Sequence, residues 1–256
     1  MSGRVLDEEE FVRRKLMSGD RSALRRYADL TVGGGWLSLL RYELVVAWLG
    51  PLPGALGLLL RRLTYPALFR ACGRGLVIGR NVIVRHGHNI RLGSRVVIDD
   101  GVLLDGRGAG AEGLVIGDDV IIGRGAYVQS KAGPLRIGAG SDVGAGSVLV
   151  SQGGLSIGER VSLGGGCKIS GGRFTPSKDP KADPPFERFT GGPIEIGDRC
   201  LLGGGVIVTD AVSIGAGSLV GAGSVVVKSV GPGSVCTARP ALVLQAGRDT
   251  GSGTPG

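Results

Sequence analysis

The chain of 256 residues contains only two histidines, and they stand two positions apart at His86 and His88. Side chains two residues apart share one face of a β-strand, so this spacing would suit a pair of metal ligands or a general base beside a partner. We therefore treat His86 and His88 as candidate catalytic residues. The alternative interpretation is that both are corner histidines that stabilise the segment that carries them.

A second group of candidates lies in a stretch rich in proline and charge, residues 171–193. Its carboxylates could bind a substrate or serve as weak bases, whereas solvated surface charge is the alternative role for the same groups. The candidate substrate-binding residues of this stretch are Arg173, Thr175, Asp179, Asp183 and Glu187.

The four cysteines are far apart in sequence and form no C-x-x-C pair; they are Cys72, Cys167, Cys200 and Cys236. Cys167 and Cys200 each follow an aliphatic residue by four positions, which predicts small, buried and unreactive thiols rather than nucleophiles or metal ligands. An acidic run at residues 7–10 stands where a cleavable signal sequence would have its apolar core. Together these features predict a reducing, cytoplasmic setting.

The elements that must position these residues are indicated by a repeat of six residues. Aliphatic side chains recur at this interval in the last third of the chain, at Ile196, Leu202, Val208, Ile214, Val220 and Val226. A helix would need a period near 3.6 and a free strand a period of 2, so a period of six predicts a short strand followed by a turn. Three such units would form one triangular coil of about eighteen residues.

The coils can be traced backwards through the chain, with starts near Ile78, Leu92, Ile116, Ile137, Ile157, Ile196 and Ile214. These positions predict an all-β solenoid of about seven coils, preceded by a helical segment. The step from Ile157 to Ile196 is about twice the length of one coil, so an insertion must lie at 171–193. A long excursion from a regular scaffold is usually a functional loop.

The segment before the coils differs in composition. Residues 1–75 carry twelve Lys and Arg against seven Asp and Glu, in a chain whose formal net charge is +8. The uncharged run 44–60 is at the short limit for crossing a bilayer, and Pro51 and Pro53 interrupt it. Basic and aromatic residues flank this run, as they do in elements of a membrane interface. We expect a hairpin at 36–69 that either lies on a membrane or packs against the solenoid or a sister subunit.

These patterns divide the chain into three parts: a helical, basic and apolar segment at 1–73, a β-helix at 74–230, and a C-terminal cap with a tail at 231–256. A basic segment can meet anionic lipid, nucleic acid or a phosphorylated substrate. The sequence has no interleaving of aromatic and basic residues and no recognisable nucleic-acid module, so nucleic acid is not expected as a partner.

Residues of about 74–242 resemble the left-handed β-helix acyltransferases, the hexapeptide-repeat family that includes serine, xenobiotic and sugar O-acetyltransferases. The likeness is closest to the polysaccharide-associated sugar O-acetyltransferases, whose first coils resemble the run Arg-His-Gly-His-Asn-Ile at 85–90. The resemblance implies a left-handed parallel β-helix and assembly as a homotrimer. It also implies acyl transfer from acetyl-CoA to a small-molecule or lipid-linked glycan acceptor, as in polysaccharide biosynthesis.

In this family a histidine on the long loop takes the proton of the acceptor hydroxyl, which attacks the thioester carbonyl. That histidine commonly follows two glycines, as Gly-Gly-x-His. The matching run at 171–175 reads Gly-Gly-Arg-Phe-Thr, so Phe174 or Thr175 stands where the base is expected. His86 or His88 could replace the missing base if a neighbouring subunit brought it to the cleft. The alternative is a catalytically silent paralogue that acts as a scaffold or as the partner of an active acyltransferase.

The resemblance further implies that acetyl-CoA binds along the last coils and that no metal is needed. The expected CoA-binding residues are Gly203, Gly204, Ala216, Ala222, Lys228 and Arg239. The zinc enzymes of this fold, the γ-class carbonic anhydrases, use three histidines, a set that His86 and His88 do not reproduce.

Overall fold

A computed structural model describes residues 4–5, 23–176 and 186–237. From residue 71 onward the chain winds through short parallel strands that form three sheets, two with seven strands and one with eight. Each sheet is one face of a triangular prism, and each coil contributes one strand to each face in turn. The predicted all-β solenoid of about seven coils, with a helical segment before it, is confirmed.

The strands of the prism are short, and the three faces are named here as sheets 1, 2 and 3. Sheet 1 consists of β2 (Ala71–Cys72), β5 (Ile90–Leu92), β8 (Leu114–Ile116), β11 (Leu135–Ile137), β14 (Leu155–Ile157), β19 (Ile194–Ile196) and β22 (Ser213–Ile214). Sheet 2 consists of β3 (Val77–Ile78), β6 (Val97–Ile98), β9 (Ile121–Ile122), β12 (Asp142–Val143), β15 (Ser162–Leu163), β20 (Leu201–Leu202), β23 (Leu219–Val220) and β25 (Val235–Cys236). Sheet 3 consists of β4 (Ile83–Arg85), β7 (Leu103–Asp105), β10 (Tyr127–Ser130), β13 (Val148–Ser151), β16 (Lys168–Ser170), β21 (Ile207–Val208) and β24 (Val225–Val226).

The repeat of six explains the core, because it turns the aliphatic residue of every strand into the prism. In sheet 1, Leu92, Ile116 and Ile137 stack in register, and each is almost completely buried. Burial of one such side chain contributes about 1.5–3 kcal/mol to folding. At the corners the small residue of the repeat fits inside: the Ser147 hydroxyl donates to Gly164 O and accepts from Cys167 N, which joins successive coils.

One predicted coil start is wrong. Ile78 pairs with Ile98 in sheet 2, whereas the partner of Leu92 in sheet 1 is Cys72. Cys72 and Ile78 are themselves one repeat apart, so both positions fit the period. Only the hydrogen-bonded pairing distinguishes the face to which each belongs.

A helical cap, residues 23–70, covers the first coil. Its elements are α1 (Ala23–Thr31), α2 (Trp36–Tyr42), a π-helix (Glu43–Leu49), α3 (Gly54–Thr64) and a 3₁₀ helix (Tyr65–Leu68), and a second 3₁₀ helix (Gly87–Asn89) follows β4. Buried Arg61 fixes α3 by donating to the backbone oxygens of Ile78 and Leu52. The Tyr65 hydroxyl donates to Val82 O, so the cap satisfies backbone groups at the edge of the prism. Within the described residues, no helix has the length and hydropathy needed to cross a membrane.

Candidate functional site

The insertion leaves the prism at the corner where the chain passes from sheet 3 to sheet 1, here called the 3–1 corner. It stands between β16 in the fifth coil and β19 in the sixth. Strands β17 (Arg173–Pro176) and β18 (Phe186–Thr190) pair antiparallel, and β1 (Arg4–Val5) pairs with β18. The insertion is therefore a hairpin rather than a continuation of the coil, and the start of the chain adds a third strand to it.

The predicted substrate-loop residues divide between these strands and the rest of the hairpin. Arg173 and Thr175 lie on β17, and Glu187 lies directly opposite Thr175 on β18. Asp179 and Asp183 lie outside the described residues. The backbone thus brings Arg173, Thr175 and Glu187 into one ribbon, and Phe174 pairs with Arg188 in the same ribbon.

Asp210 holds the base of the hairpin closed, and the sequence analysis did not identify it. Its Oδ1 accepts a hydrogen bond of 2.8 Å from Gly172 N, and its Oδ2 accepts one of 2.5 Å from Gly191 N. Charge-assisted hydrogen bonds of this kind are stronger than those between neutral groups. The pairing of β16 with β21 would have identified it: Lys168 pairs with Ile207, and the same offset of 39 residues places Asp210 beside Gly171.

Gln152 contacts the same point of the hairpin from the coil on the other side. A Cβ added at Gly172 would lie 2.6 Å from Gln152 Oε1, and Gly172 has a φ of 85°. The positive φ favours glycine at this position, whereas the flexible end of the Gln152 side chain could shift to admit a Cβ. The buried Oε1 of Gln152 has no hydrogen-bond partner among the described residues. The hairpin leaves the prism between Gln152 and Asp210.

His86 joins the first coil to the helical cap. Its backbone N–H donates to Thr31 O at 2.8 Å, and its ring Nε2 lies 3.1 Å from Asp29 O. On the other side of the ring, Nδ1 lies 3.3 Å from Asp105 Oδ1. Because both nitrogens face acceptors and the side chain is buried, His86 has no ring nitrogen directed at a substrate. The geometry favours the structural role for this residue.

Asp105 is the centre of a buried polar cluster beside His86. Arg107 and Gln129 donate to its Oδ2 at 3.0 and 3.1 Å. Burial raises the pKa of this carboxyl, but the contact with His86 and the charge and hydrogen bond of Arg107 outweigh burial, and its pKa lies below the ordinary value. The cluster is thus an ion pair network that fixes the second coil to the first.

His88 lies on the exposed side of the same corner. Partial burial of its ring, followed by the charges of His86 and Arg70, lowers its pKa below the ordinary value. Both histidines follow β4 in the first coil, and the hairpin follows β16 in the fifth, so four layers of about 4.8 Å separate them by roughly 19 Å. The structure does not bring His86 or His88 together with the described loop residues Arg173, Thr175 and Glu187.

The predicted CoA-binding residues lie at three different corners. Gly203 and Gly204 follow β20, and Ala222 stacks on Gly203, since a Cβ added at Gly203 would lie 2.5 Å from Ala222 N. These three form one ledge at the corner between sheets 2 and 3, here called the 2–3 ledge. Ala216 lies at the corner between sheets 1 and 2, where it stacks on Gly197. Exposed Lys228 follows β24 at the 3–1 corner, and Arg239 lies outside the described residues.

The cysteines bear out the prediction of buried thiols. Cys167 and Cys200 are buried inside the prism, and burial raises the pKa of both thiols. All four cysteines of the chain are free. Among the described residues, no group of three or more His, Cys, Asp and Glu side chains could hold a metal ion. The rings of His86 and His88 are 6.0 Å apart between centroids.

The outward faces of the prism differ in polarity. Sheet 2 presents a row that is mostly apolar; its members in register are Val77, Val97, Ile121, Asp142, Ser162, Leu201, Leu219 and Val235. The corresponding row of sheet 1 is mostly polar, with Arg91, Val115, Arg136, Ser156, Glu195 and Ser213. The outward row of sheet 3 is also mostly apolar, with Ile83, Leu103, Tyr127, Val148, Lys168, Ile207 and Val225 in register. Sheet 2 exposes two leucines, at 201 and 219, which makes it suited to contact another protein surface.

The repeat itself matches a known family model, "hexapeptide repeat of succinyl-transferase", over residues 113–151 and 193–228. Those two segments are coils of the prism on either side of the hairpin. These two segments of the β-solenoid are therefore similar to the hexapeptide repeat.

Curated relatives of known name match only part of the chain. A putative acetyltransferase of Staphylococcus aureus (strain COL) is 46% identical over 54 residues, which cover 21% of this chain and 27% of that protein. The serine acetyltransferase of Mycobacterium tuberculosis is 40% identical over 84 residues, which cover 30% of this chain and 35% of that protein. The match thus spans between about a quarter and about a third of the length of these relatives.

Solved structures resemble the chain over a longer range at lower identity. A maltose O-acetyltransferase from Clostridium difficile 630 is 18% identical, with 84% of this chain and 90% of that chain covered and a TM-score of 0.39. The N-acyltransferase AntD from Bacillus cereus, in complex with dTDP and 3-hydroxybutyryl-CoA, is 17% identical, with 69% and 82% covered and a TM-score of 0.46.

Proposed function

We propose that this protein is an acyl-CoA-dependent O-acyltransferase that transfers an acyl group, acetyl in the simplest case, to a hydroxyl of a sugar or glycan precursor. The observation that carries the proposal is a prism of hexapeptide repeats that a hairpin interrupts. At the base of this hairpin, Asp210 accepts hydrogen bonds from the backbone nitrogens of Gly172 and Gly191. Relatives that match the repeat are named acetyltransferases, which supports the same class of reaction.

In the proposed reaction the acceptor hydroxyl oxygen attacks the thioester carbonyl carbon. A C–O bond forms and the C–S bond breaks, and the hydroxyl proton finally resides on the thiol of free CoA. We assign the acceptor to the hairpin, with Arg173, Thr175, Asp179, Asp183 and Glu187 as the substrate-binding set. Its three carboxylates are the proposed proton acceptors, because Phe174 cannot accept a proton and Thr175 is not a base near neutral pH.

The acyl donor is assigned to the last coils. The 2–3 ledge consists of Gly203, Gly204 and Ala222, whose small side chains would let an extended pantetheine arm lie close to the backbone. The backbone is open there, because a Cβ added at Gly205 or Gly223 would meet nothing within 4 Å. Lys228 and Arg239 are proposed to meet the phosphates of CoA, and Ala216 completes the proposed set.

We further propose a homotrimer that works in the cytoplasm, at the inner face of the cell membrane. The apolar outward row of sheet 2, with Leu201 and Leu219 exposed, supports contact between copies. Free cysteines throughout the chain suit a reducing compartment. In such a trimer a groove between neighbouring prisms would combine corners from two copies. Ala216 of one copy could then line the same groove as the 2–3 ledge of its neighbour.

The proposal is tested by incubating the purified full chain with acetyl-CoA and a panel of sugars and glycan precursors. Release of free CoA thiol and the mass of the acetylated product are measured, together with calorimetric CoA binding. We expect product with at least one acceptor. If the chain neither binds nor consumes acetyl-CoA across the panel, the proposal is wrong and the silent scaffold is favoured instead.

Two matched variants locate the donor site. Ala222 and Ala216 are both exposed alanines of Gly-Ala-Gly-Ser turns in the seventh coil, but they lie at different corners. We expect Ala222→Trp to weaken CoA binding by filling the 2–3 ledge. Weakening by Ala216→Trp as well would support a groove made of two corners across a subunit interface. Unchanged affinity in both variants would remove the donor site from these corners.

A further inference from the structure

The helical cap has two faces, and only one of them is used by the prism. Leu39, Tyr42 and Val45 are buried toward the first coil, as are Arg61 and Tyr65 of the second half of the cap. The opposite face exposes a row of large apolar side chains at intervals of four residues: Trp36, Leu40, Leu44 and Trp48. A spacing of four keeps side chains on one side of a helix that continues from α into π geometry.

Helix α3 adds a second apolar row. Leu56, Leu59 and Leu63 are exposed at helical spacing, whereas Gly57 and Arg61 of the same helix are buried. We call the two rows together the apolar cap face. Trp48 is 75% exposed and Leu63 68%, which is unusual for residues of this size in such number. Large exposed apolar side chains in such number mark an interaction surface.

The charged residues of the cap segment are mostly positive. Between residues 23 and 76 the sequence has seven arginines and only two acidic residues, Asp29 and Glu43. Glu43 accepts a hydrogen bond from the Tyr27 hydroxyl, so its charge is partly engaged. Arg41 and Arg62 are exposed on the same helices as the two apolar rows. An apolar face with a basic surround complements the surface of an anionic bilayer.

We infer that the apolar cap face docks on an anionic lipid bilayer, with Trp36, Trp48 and the exposed leucines in the interface and Arg41 and Arg62 at the lipid phosphates. The inference rests on the proposed placement of the protein at a membrane face and identifies the surface that makes the contact. The cap lies on the surface and does not span it. Tryptophan suits this position, because its ring has an apolar body and a polar N–H.

A second copy of the chain is the other occupant to consider, and the prism already offers a different surface for it. The apolar row of sheet 2 runs along the side of the prism, whereas the apolar cap face lies on the side of the cap away from the first coil. In a trimer with parallel prisms, three cap faces would point in one direction. Such an arrangement would present one broad apolar platform to a flat surface.

The test uses the two tryptophans, which are the only ones in the chain and both belong to the apolar cap face. The full chain is mixed with phosphatidylcholine vesicles that either contain or lack phosphatidylglycerol. We expect co-sedimentation and a blue shift of tryptophan emission with the anionic vesicles. Leu40→Ser/Leu44→Ser/Leu63→Ser, which alters exposed side chains only, should weaken binding by at least about tenfold. Arg41→Gln and Arg62→Gln should each weaken it about fivefold, and less at high salt.

The matched control changes two exposed valines at the far end of the prism, Val225→Ser/Val227→Ser, and should keep vesicle binding. Failure of the unmodified chain to bind anionic vesicles would overturn the inference. So would equal binding by the leucine variant. A leucine variant that changes only the oligomeric state would identify a second copy as the occupant instead. Acetyl transfer is measured in the same samples: transfer without vesicle binding rejects this inference alone, and vesicle binding without CoA binding rejects the proposed function alone.

Discussion

A carboxylate oxygen of Asp210 lies 2.8 Å from the backbone nitrogen of Gly172, which belongs to the preceding coil. Gly172 is the last residue before β17, so this hydrogen bond fixes the direction in which the hairpin leaves the prism. The second oxygen of Asp210 holds Gly191, where the hairpin returns. One side chain thus sets the position of both ends of the proposed acceptor loop.

Replacing Asp210 should therefore impair transfer more than folding. We expect Asp210→Ala to lower kcat/KM by roughly 10- to 100-fold, since misplacement of a positioning element by about 1 Å can have effects of that size. The melting temperature should change little. The matched control is Asp198→Ala, which removes a similar hydrogen bond, from Glu159 N to Asp198 Oδ1, at a corner without an insertion. Equal loss of activity in both variants would contradict a role specific to the hairpin.

His86 should matter for the attachment of the cap rather than for catalysis. The residue has a left-handed backbone conformation, with φ of 51°, that costs about 1 kcal/mol for a residue other than glycine. Its contacts with Thr31, Asp29 and Asp105 offset that cost. We expect His86→Ala to destabilise the fold by about 2–4 kcal/mol, because it leaves the Asp105 carboxylate buried without this partner.

Hydrogen exchange of α1 checks this prediction, and His88→Ala serves as the control at the neighbouring, exposed position. A His86→Ala chain with normal exchange in α1 but lost transfer would instead indicate a catalytic role.

Stability should fall toward acid pH for two separate reasons. The pKa of Asp105 lies below its ordinary 3.8, so its contribution is complete above that pH and is lost as pH falls through the lower value in the folded chain. The pKa of His88 lies below its ordinary 6.5, so the unfolded chain binds protons first and stability begins to decline below about that pH. Thermal melts across this range should lose the upper step in His88→Gln and the lower step in Asp105→Asn. Unchanged pH profiles would contradict both assignments.

The sequence predicted the fold well because the fold is local and periodic. Each coil repeats the same choice of an inward aliphatic residue, and the long step from Ile157 to Ile196 exposed the insertion directly. The error at Ile78 has the same origin, since a period of six cannot tell one face of the prism from another. Register is a property of hydrogen-bonded pairs, and it became visible only when Cys72 was found beside Leu92.

The site was harder to predict because its contacts join residues far apart in the chain. Asp210 lies 38 residues beyond Gly172, and nothing in its local sequence distinguishes it from an ordinary corner aspartate. The two histidines drew attention as rare reactive residues, yet the fold uses one of them to bind a helix. Chemical rarity in a sequence does not place a side chain in a cleft.

The apolar row of sheet 2 should form the interface of the proposed trimer. Leu201 and Leu219 are each more than 40% exposed in the single chain, and they lie in register on adjacent coils. We expect Leu201→Glu/Leu219→Glu to yield monomers in light-scattering measurements, because two charges would be buried against an apolar partner. Ser156→Glu/Ser213→Glu on sheet 1 is the matched control and should stay trimeric. A monomeric unmodified chain would refute the trimer.

A histidine introduced into the hairpin tests whether the general base is the only catalytic group that this protein lacks for acyl transfer. The family that the sequence resembles is expected to have its base at the position of Phe174 or Thr175, and Phe174 lies on β17 opposite Arg188. A histidine there could accept the hydroxyl proton near neutral pH, and general-base catalysis typically contributes 10²–10⁴-fold. We therefore expect Phe174→His to raise turnover by a factor within about that range, with a new pH dependence near the pKa of histidine. Arg136→His, which adds an exposed histidine on sheet 1 outside the hairpin, is the control and should not gain activity. If Phe174→His gains nothing while the unmodified chain is active, the proton leaves by another group, and the loop carboxylates Asp179, Asp183 and Glu187 become the residues to replace next.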